Sequence, residues 1–149
     1  MTTVKEFDTW LKRPEDMTLE FKAARNSFSR DKDIPDICAA LANEGGGKLI
    51  LGVNNNREVV GTSAFHGTHN TLSNELLAKI KIRVDVEELM LSKGRVLIFH
   101  IPSRPVGQAV RSTGKYHCPM RAGESLGEMD QMTLKRILNE SDADFSAKI

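Results

Sequence analysis

The sequence predicts an α+β fold, a mixed sheet with hairpins and flanking helices, and three observations carry that expectation. Ile34, Ile37, Cys38 and Leu41 recur at spacings of three and four, the period of a helix with one buried face. Residues 48–53 (KLILGV) form a short, nearly continuous apolar run, as in a strand covered on both sides. Residues 82–87 alternate strictly, and after a Ser92-Lys93-Gly94-Arg95 turn the run VLIFHI returns over 96–101. Strands joined by a tight hairpin, rather than by helical crossovers, separate α+β from a doubly wound sheet.

The remaining elements follow in order. Val4, Phe7, Trp10 and Leu11 share one side of a short amphipathic helix over 4–11, closed by Pro14. Alternation over 18–22 predicts a strand with Leu19 and Phe21 on one face and Thr18, Glu20 and Lys22 on the other. Residues 23–32 read as a polar loop carrying Arg25, Arg30 and Lys32. Asp33 is the expected cap of the next helix, with Pro35 in its first turn. Asn43 and the Gly45-Gly46-Gly47 run stop that helix, because glycine takes the left-handed conformation that satisfies orphan helix carbonyls. After the buried strand, Asn54-Asn55-Asn56-Arg57 is a turn, since asparagine tolerates positive φ and hydrogen-bonds its own backbone. Glu58, Val59 and Val60 then return as a strand, ended by Gly61.

Residues 62–70 form a loop holding His66 and His69. Thr71 or Ser73 caps a helix through Ile80, with Leu72, Leu76, Leu77 and Ile80 on its buried side. Beyond the hairpin, 102–107 is a loop and Ser112-Thr113-Gly114 a turn. Residues 115–121 predict a further strand with Lys115, His117 and Arg121 facing outward. Asp130 or Thr133 starts a last helix whose apolar positions are Met132, Leu134, Ile137 and Leu138. A single domain over 1–139 is expected, followed by a polar tail over 140–149 that reads as the start of a linker to a further domain.

Composition narrows the function classes. At 149 residues, 40% apolar and 28% charged, the chain has the makeup of one ordinary globular domain. A net charge of +1 supplies no global field toward nucleic acid or membrane, so any such surface has to be local. Cys38, on an apolar helix face, reads as a buried inert thiol, and no CxxC pair or Cys/His zinc spacing is present. Lys5, Glu6 and Asp8 rule a signal peptide out of the opening residues, and no apolar run is long enough to span a bilayer. A cytoplasmic location without a membrane partner is the expectation, with a homo-oligomer left open.

Three constellations invite chemistry. Gly45 to Lys48 is no phosphate-binding P-loop, since helix precedes strand and Leu49 stands where the magnesium-binding hydroxyl belongs. Glu15 and Glu20, with the oxygen-bearing side chains of Asn54 to Asn56, would suit a hard cation such as Mg²⁺ or Mn²⁺; the alternative is a solvated Glu20–Lys22 salt bridge. Between Leu91 and Arg121 lie Lys93, Arg95, Arg104, Arg111, Lys115, His100 and His117, with no acidic residue among them. Such a stretch suits phosphate contact. Equally, it suits a basic face balanced by the acidic segment 124–144, or one packed on another domain. His66 and His69 have no second ligand set and remain loop residues.

Four motifs in order resemble the Schlafen AlbA-like domain. They are Glu15 with Glu20-Phe21-Lys22; Ala39, then Ala42-Asn43-Glu44-Gly45-Gly46; the strand Leu49-Ile50-Leu51-Gly52-Val53 with its Val60-Gly61 return; and Tyr116 running into Arg121-Ala122-Gly123. The resemblance spans roughly residues 12–139. It implies an α+β fold with a nucleic-acid-binding role, as in domains at the amino end of bacterial proteins regarded as transcriptional regulators. In some eukaryotic Schlafen proteins it implies instead a metal-dependent nuclease acting on transfer and ribosomal RNA through two glutamates and an aspartate. Those glutamates fall on Glu15 and Glu20, and the aspartate falls on Asn55, a neutral replacement that weakens a cation site.

The reading is therefore a non-catalytic nucleic-acid-binding domain of a transcriptional regulator, with duplex DNA as partner and no cofactor. Its contact residues are Lys22, Arg25, Arg104, Arg111, Lys115 and Arg121. The alternative is an endoribonuclease using Glu15, Glu20 and Asn55 with Mg²⁺ or Mn²⁺.

Overall fold

Residues 47–51 become the second strand of a four-stranded sheet, walled by neighbours on both sides. The computed structural model describes residues 1–13, 18–122 and 125–140. They form α1 (Val4–Lys12), β1 (Leu19–Lys22), α2 (Asp33–Asn43), β2 (Gly47–Leu51), α3 (Leu72–Ile80), β3 (Asp85–Leu91), β4 (Gly94–Ile101), β5 (Pro119–Ala122), β6 (Ser125–Glu128) and α4 (Gln131–Leu138). The main sheet runs β1-β2-β4-β3, and β5-β6 is a separate pair. β1 and β2 are parallel, joined across α2, whereas β2–β4, β3–β4 and β5–β6 are antiparallel. The fold is α+β with a mixed sheet.

Cover on both faces explains why β2 is apolar from Leu49 to Leu51. Leu49 and Leu51 pack with Ile37, Cys38, Leu41, Leu97 and Phe99 under α2 and α3. Ile50 points the other way, among Phe7, Leu19, Phe21, Val96 and Ile98 on the α1 side. Thr3 caps α1 through a capping box with Glu6. Arg57 closes its other end, donating to the carbonyls of Trp10 (3.4 Å), Leu11 (3.4 Å) and Arg13 (2.8 Å). Its guanidinium also lies 4.3 Å from the Phe21 ring centroid. A cation is favourable at that negative end of the helix dipole.

The glycine run stops α2 as its composition predicts. Gly45 and Gly46 have φ of +108° and +97°, and the Gly46 amide donates to Leu41 O at 2.8 Å. Asn43 does more than end the helix. Buried, it donates from Nδ2 to the carbonyls of Val110 (3.1 Å) and Pro119 (2.9 Å) and accepts the Val110 amide at 2.7 Å. One side chain thus pins two distant segments to α2.

Several expectations need correction. Lys32, not Asp33, is the N-cap of α2, and it makes no side-chain capping bond. In the asparagine turn the positive φ falls on Arg57, while Asn54 Oδ1 accepts the amides of Asn56 and Glu58 at 2.9 and 3.0 Å. The return strand after it reduces to a single bridge, Val53–Val59. Leu77 is exposed because Leu72, Leu76 and Ile80 already fill the buried stripe of α3 at four-residue spacing. Met132 and Leu138 are likewise exposed on α4, whose buried residue is Ile137. The strand predicted over 115–121 begins only at Pro119, for a reason given below.

Cys38 and Cys118 are both free and buried, and burial pushes each thiol above its ordinary range. Among the described residues no helix is long and apolar enough to cross a membrane.

Candidate nucleic-acid interface

Asp36 is buried in α2, where a carboxylate is costly unless its oxygens are all used. They are used on a distant turn. Oδ1 accepts the Ser112 hydroxyl at 2.6 Å and the Tyr116 amide at 3.4 Å, and Oδ2 accepts the Lys115 amide at 2.9 Å. Gly114 makes the approach possible, since a Cβ there would stand 2.5 Å from Lys32 O and 2.6 Å from Asp36 Oδ1. Glu128 on β6 continues the pattern, accepting the His117 and Cys118 amides at 2.7 Å each. Burial pushes the Glu128 carboxyl up, but the His117 and Cys118 amide bonds outweigh it and hold the group below its usual range.

These bonds explain the shortened strand. The amides of residues 115–118 are spent on side-chain carboxylates, so none is left for a ladder. Of the outward positions predicted, Lys115 and His117 are exposed, as are Arg111 and Thr113 before them, whereas Arg121 is withdrawn onto Glu20. Arg111 and His117 line two adjoining clefts of about 380 and 300 Å³. Lys79 and Lys81 lie in the larger one. Lys79 is engaged by Asp31 at 3.0 Å, while Lys81 sits at the αL end of α3 with its ammonium 2.7 Å from Ala78 O.

The other sequence candidates are placed elsewhere. Arg25 is exposed in the loop before α2, its carbonyl accepting the Ser63 amide at 2.8 Å. Arg104 forms a two-bond clamp on Glu140, at 2.6 and 2.9 Å. Part of the basic run is therefore balanced by the acidic segment. Arg95 is buried, donating to Glu88 at 2.5 Å and to the carbonyls of Thr62 and Ala64 at 3.0 and 2.9 Å, where it fixes the 62–64 loop.

Lys22 and Arg121 meet at Glu20. Lys22 Nζ is 3.6 Å from Glu20 Oε1, and the Arg121 guanidinium donates directly to Glu20 Oε2. Both Glu20 and Arg121 are largely withdrawn from solvent, with side chains 14% and 11% exposed. The Arg121 amide donates to Glu44 Oε1 at 2.7 Å, while Glu44 Oε2 is buried with no partner among the described residues. Burial raises the Glu44 carboxyl above its usual range, against the Arg121 amide bond that lowers it. Among the described residues, this arrangement does not suit a divalent cation. Glu20 is already neutralised by a guanidinium, exposed Asn55 brings no charge, and the Asn54 side-chain oxygen is committed to its own backbone. Glu15 lies outside the described residues.

Comparison with known proteins adds the family. The model for Schlafen, AlbA_2 matches residues 15–130. The chain belongs to this family. Two solved structures share the fold of this AlbA_2 domain. The DIP2311 protein from Corynebacterium diphtheriae is 17% identical at a TM-score of 0.67, covering 90% of this chain and 27% of its own. The AlbA_2 chain thus spans about a quarter of that protein's length. The N-terminal domain of a Nitrosomonas europaea protein related to the ATP-dependent DNA helicase RecG is 21% identical at a TM-score of 0.52. That match covers 84% of this chain and 88% of the neighbour. No curated protein matches the sequence.

Within this AlbA_2 domain, sequence reasoning missed the residues that aim the cationic ones. Asp36, Asn43, Glu44 and Glu128 each hold backbone groups of the 110–121 segment. The available signal was Asp36 and Asn43 among the apolar residues of α2, buried polar positions that demand partners.

Proposed function

We propose that this Schlafen AlbA_2 domain is a non-catalytic nucleic-acid-binding module of a transcriptional regulator, meeting the phosphates of duplex DNA with Arg111 and Lys115. Lys81 and His117 flank them, and Lys22 and Arg25 are outlying contacts. Arg104 and Arg121 of the sequence candidates serve the frame. The observation that carries the reading is the turn hung on Asp36, which holds exposed cations on a rigid backbone. Phosphate contact needs that arrangement, since it fixes register without reading bases. The family match and a fold neighbour related to a DNA helicase accord with it. Support for the non-catalytic part is the guanidinium on Glu20 and the asparagine at position 55.

Fluorescence anisotropy with a labelled duplex at several salt concentrations tests the reading. About three phosphate contacts give a log–log slope near −2.7, and Arg111→Ala with Lys115→Ala lowers its magnitude by roughly two. The weakening is equal across sequences. An unchanged slope with a lowered melting temperature would assign this face to packing. Transfer RNA as competitor separates RNA from DNA as the preferred partner.

A further inference from the structure

On the α1 side of the sheet, Lys48 and His100 are direct cross-strand partners of β2 and β4. Lys48 Nζ lies 3.2 Å from His100 Nδ1, and His100 Nε2 lies 2.9 Å from Glu87 Oε1 on β3. The Thr2 amide and hydroxyl take the same carboxylate at 2.7 Å each, which ties the lead-in of α1 to this row. Burial pushes the Glu87 carboxyl up, but the bonds from Thr2 and His100 outweigh it and hold the group below its usual range. An ionised carboxylate only accepts, so Nε2 carries the ring proton. Nδ1 is then left to accept from the Lys48 ammonium, which has donors and no lone pair.

Lys48 in turn reaches α1. Its ammonium lies 5.2 Å from the centre of the Trp10 ring, an attractive placement for a cation, and Trp10 stands edge-on to buried Phe7 with ring centres 5.9 Å apart. The two ends of α1 are held separately, by Thr2 on Glu87 and by Arg57 on the last carbonyls.

A proton on His100 keeps one bond of this row and breaks the other. Nε2 still donates to Glu87, now with a full charge behind it, while Nδ1 carries hydrogen and no longer accepts. Two cations 3.2 Å apart that present only donors to each other repel. The charged groups around the ring leave that conflict in place. Asp85, the direct partner of His100 on β3, is taken by Arg83 at 3.2 Å. Glu6 and the Met1 amino group share the cleft on the α1 side, where Glu6 accepts the Thr3 hydroxyl at 3.1 Å. Arg13 and Arg83 line the cleft at the end of the sheet. Among the described residues only Glu87 and Lys48 pair with the ring.

We propose that His100 is a proton-operated latch for α1: neutral, it holds Lys48 over Trp10; protonated, it keeps Glu87 and expels Lys48 from the ring face. The latch is independent of the Arg111–Lys115 face and stands whether or not that face binds nucleic acid.

Trp10 is the single tryptophan of the chain, so its fluorescence reads the latch. On the full chain the emission is expected to change in one single-proton step between about pH 8 and 5, the range in which histidine changes charge. His100→Gln and Lys48→Met each abolish the step, while His66→Gln, His69→Gln and His117→Gln each leave it. A flat titration of the parent overturns the proposal. So does a step that survives in His100→Gln or Lys48→Met, or one that vanishes with another histidine. Nitrogen NMR of the parent keeps the test open where a variant fails to fold. Above the step His100 carries its proton on Nε2, and a ring protonated on Nδ1 instead overturns the latch.

Discussion

Asp36 and Lys115 stand 79 positions apart in the chain, yet the Lys115 amide donates to Asp36 Oδ2 at 2.9 Å. The same carboxylate takes the Ser112 hydroxyl at 2.6 Å. Asp36→Ala strands these donors in a half-buried place and is expected to cost about 2–4 kcal/mol. Asp36→Asn, keeping shape and one acceptor oxygen, costs less. Urea unfolding of both variants measures the difference. A loss under about 1 kcal/mol for the alanine variant would mean the turn is held by something else.

Gly45 and Gly46 both have positive φ but differ in what surrounds them. Among the described residues a Cβ on Gly45 meets nothing within 4 Å, whereas one on Gly46 would be 2.9 Å from Ile101 O and 3.0 Å from Ser103 N. Gly45→Ala should therefore cost only backbone strain, about 1–2 kcal/mol. Gly46→Val adds a backbone clash and should cost about 3 kcal/mol or more. Thermal melts of the two variants are the check, and equal losses would refute the packing role of Gly46.

Arg104 holds the Glu140 carboxyl down to about 2, chiefly by its side-chain hydrogen bonds, with the Gly107 amide assisting. A carboxyl depressed on folding contributes stability that is present above its unfolded value and lost as pH falls through its folded one. The 102–107 loop should then loosen only on strong acidification, as pH drops from the ordinary glutamate range toward 2. Carbon NMR of the Glu140 carboxyl follows its titration directly. Arg104→Gln should return the midpoint toward the ordinary range, and an unmoved midpoint would refute the clamp.

Glu20 is occupied by Arg121, so restoring a third carboxylate is not enough to build a cation site. The parent should bind Mn²⁺ weakly or not at all, and Asn55→Asp alone should strengthen it little. Asn55→Asp combined with Arg121→Gln frees Glu20 and should bind more tightly than either single change. Calorimetry decides. Tight Mn²⁺ binding by the parent, abolished by Glu20→Ala, would reverse this reading and revive the nuclease alternative.

Much of the fold was legible because local chemistry wrote it. The period of Ile34, Ile37, Cys38 and Leu41 foretold α2, and the continuous run of β2 foretold a strand covered on both faces. The tight turn before β4 foretold an antiparallel pair. The outward positions of Lys115 and His117 were legible as well, whereas Arg121, read as a third, is drawn in onto Glu20. What the sequence alone determined, then, is the helices, the strands of the main sheet, the two buried faces of β2 and the family motifs at residues 20–22, 42–46 and 49–53, whereas β6 was not foreseen and the return strand over 58–60 is only a bridge.

Only the tertiary structure decided which cations remain exposed. Arg95, Arg104 and Arg121 look equivalent to Arg111 along the chain, but folding brings Glu88, Glu140 and Glu20 onto them from 7, 36 and 101 positions away. It also decided that the 112–118 segment is no strand, since its amides meet Asp36 and Glu128 before any neighbouring strand reaches them. The Lys48–His100–Glu87 row appeared in the same way, from the register of three strands. Periodicity reports which side of an element is apolar. Ion pairs and carboxylate-held turns depend on distances between elements, which no local pattern encodes.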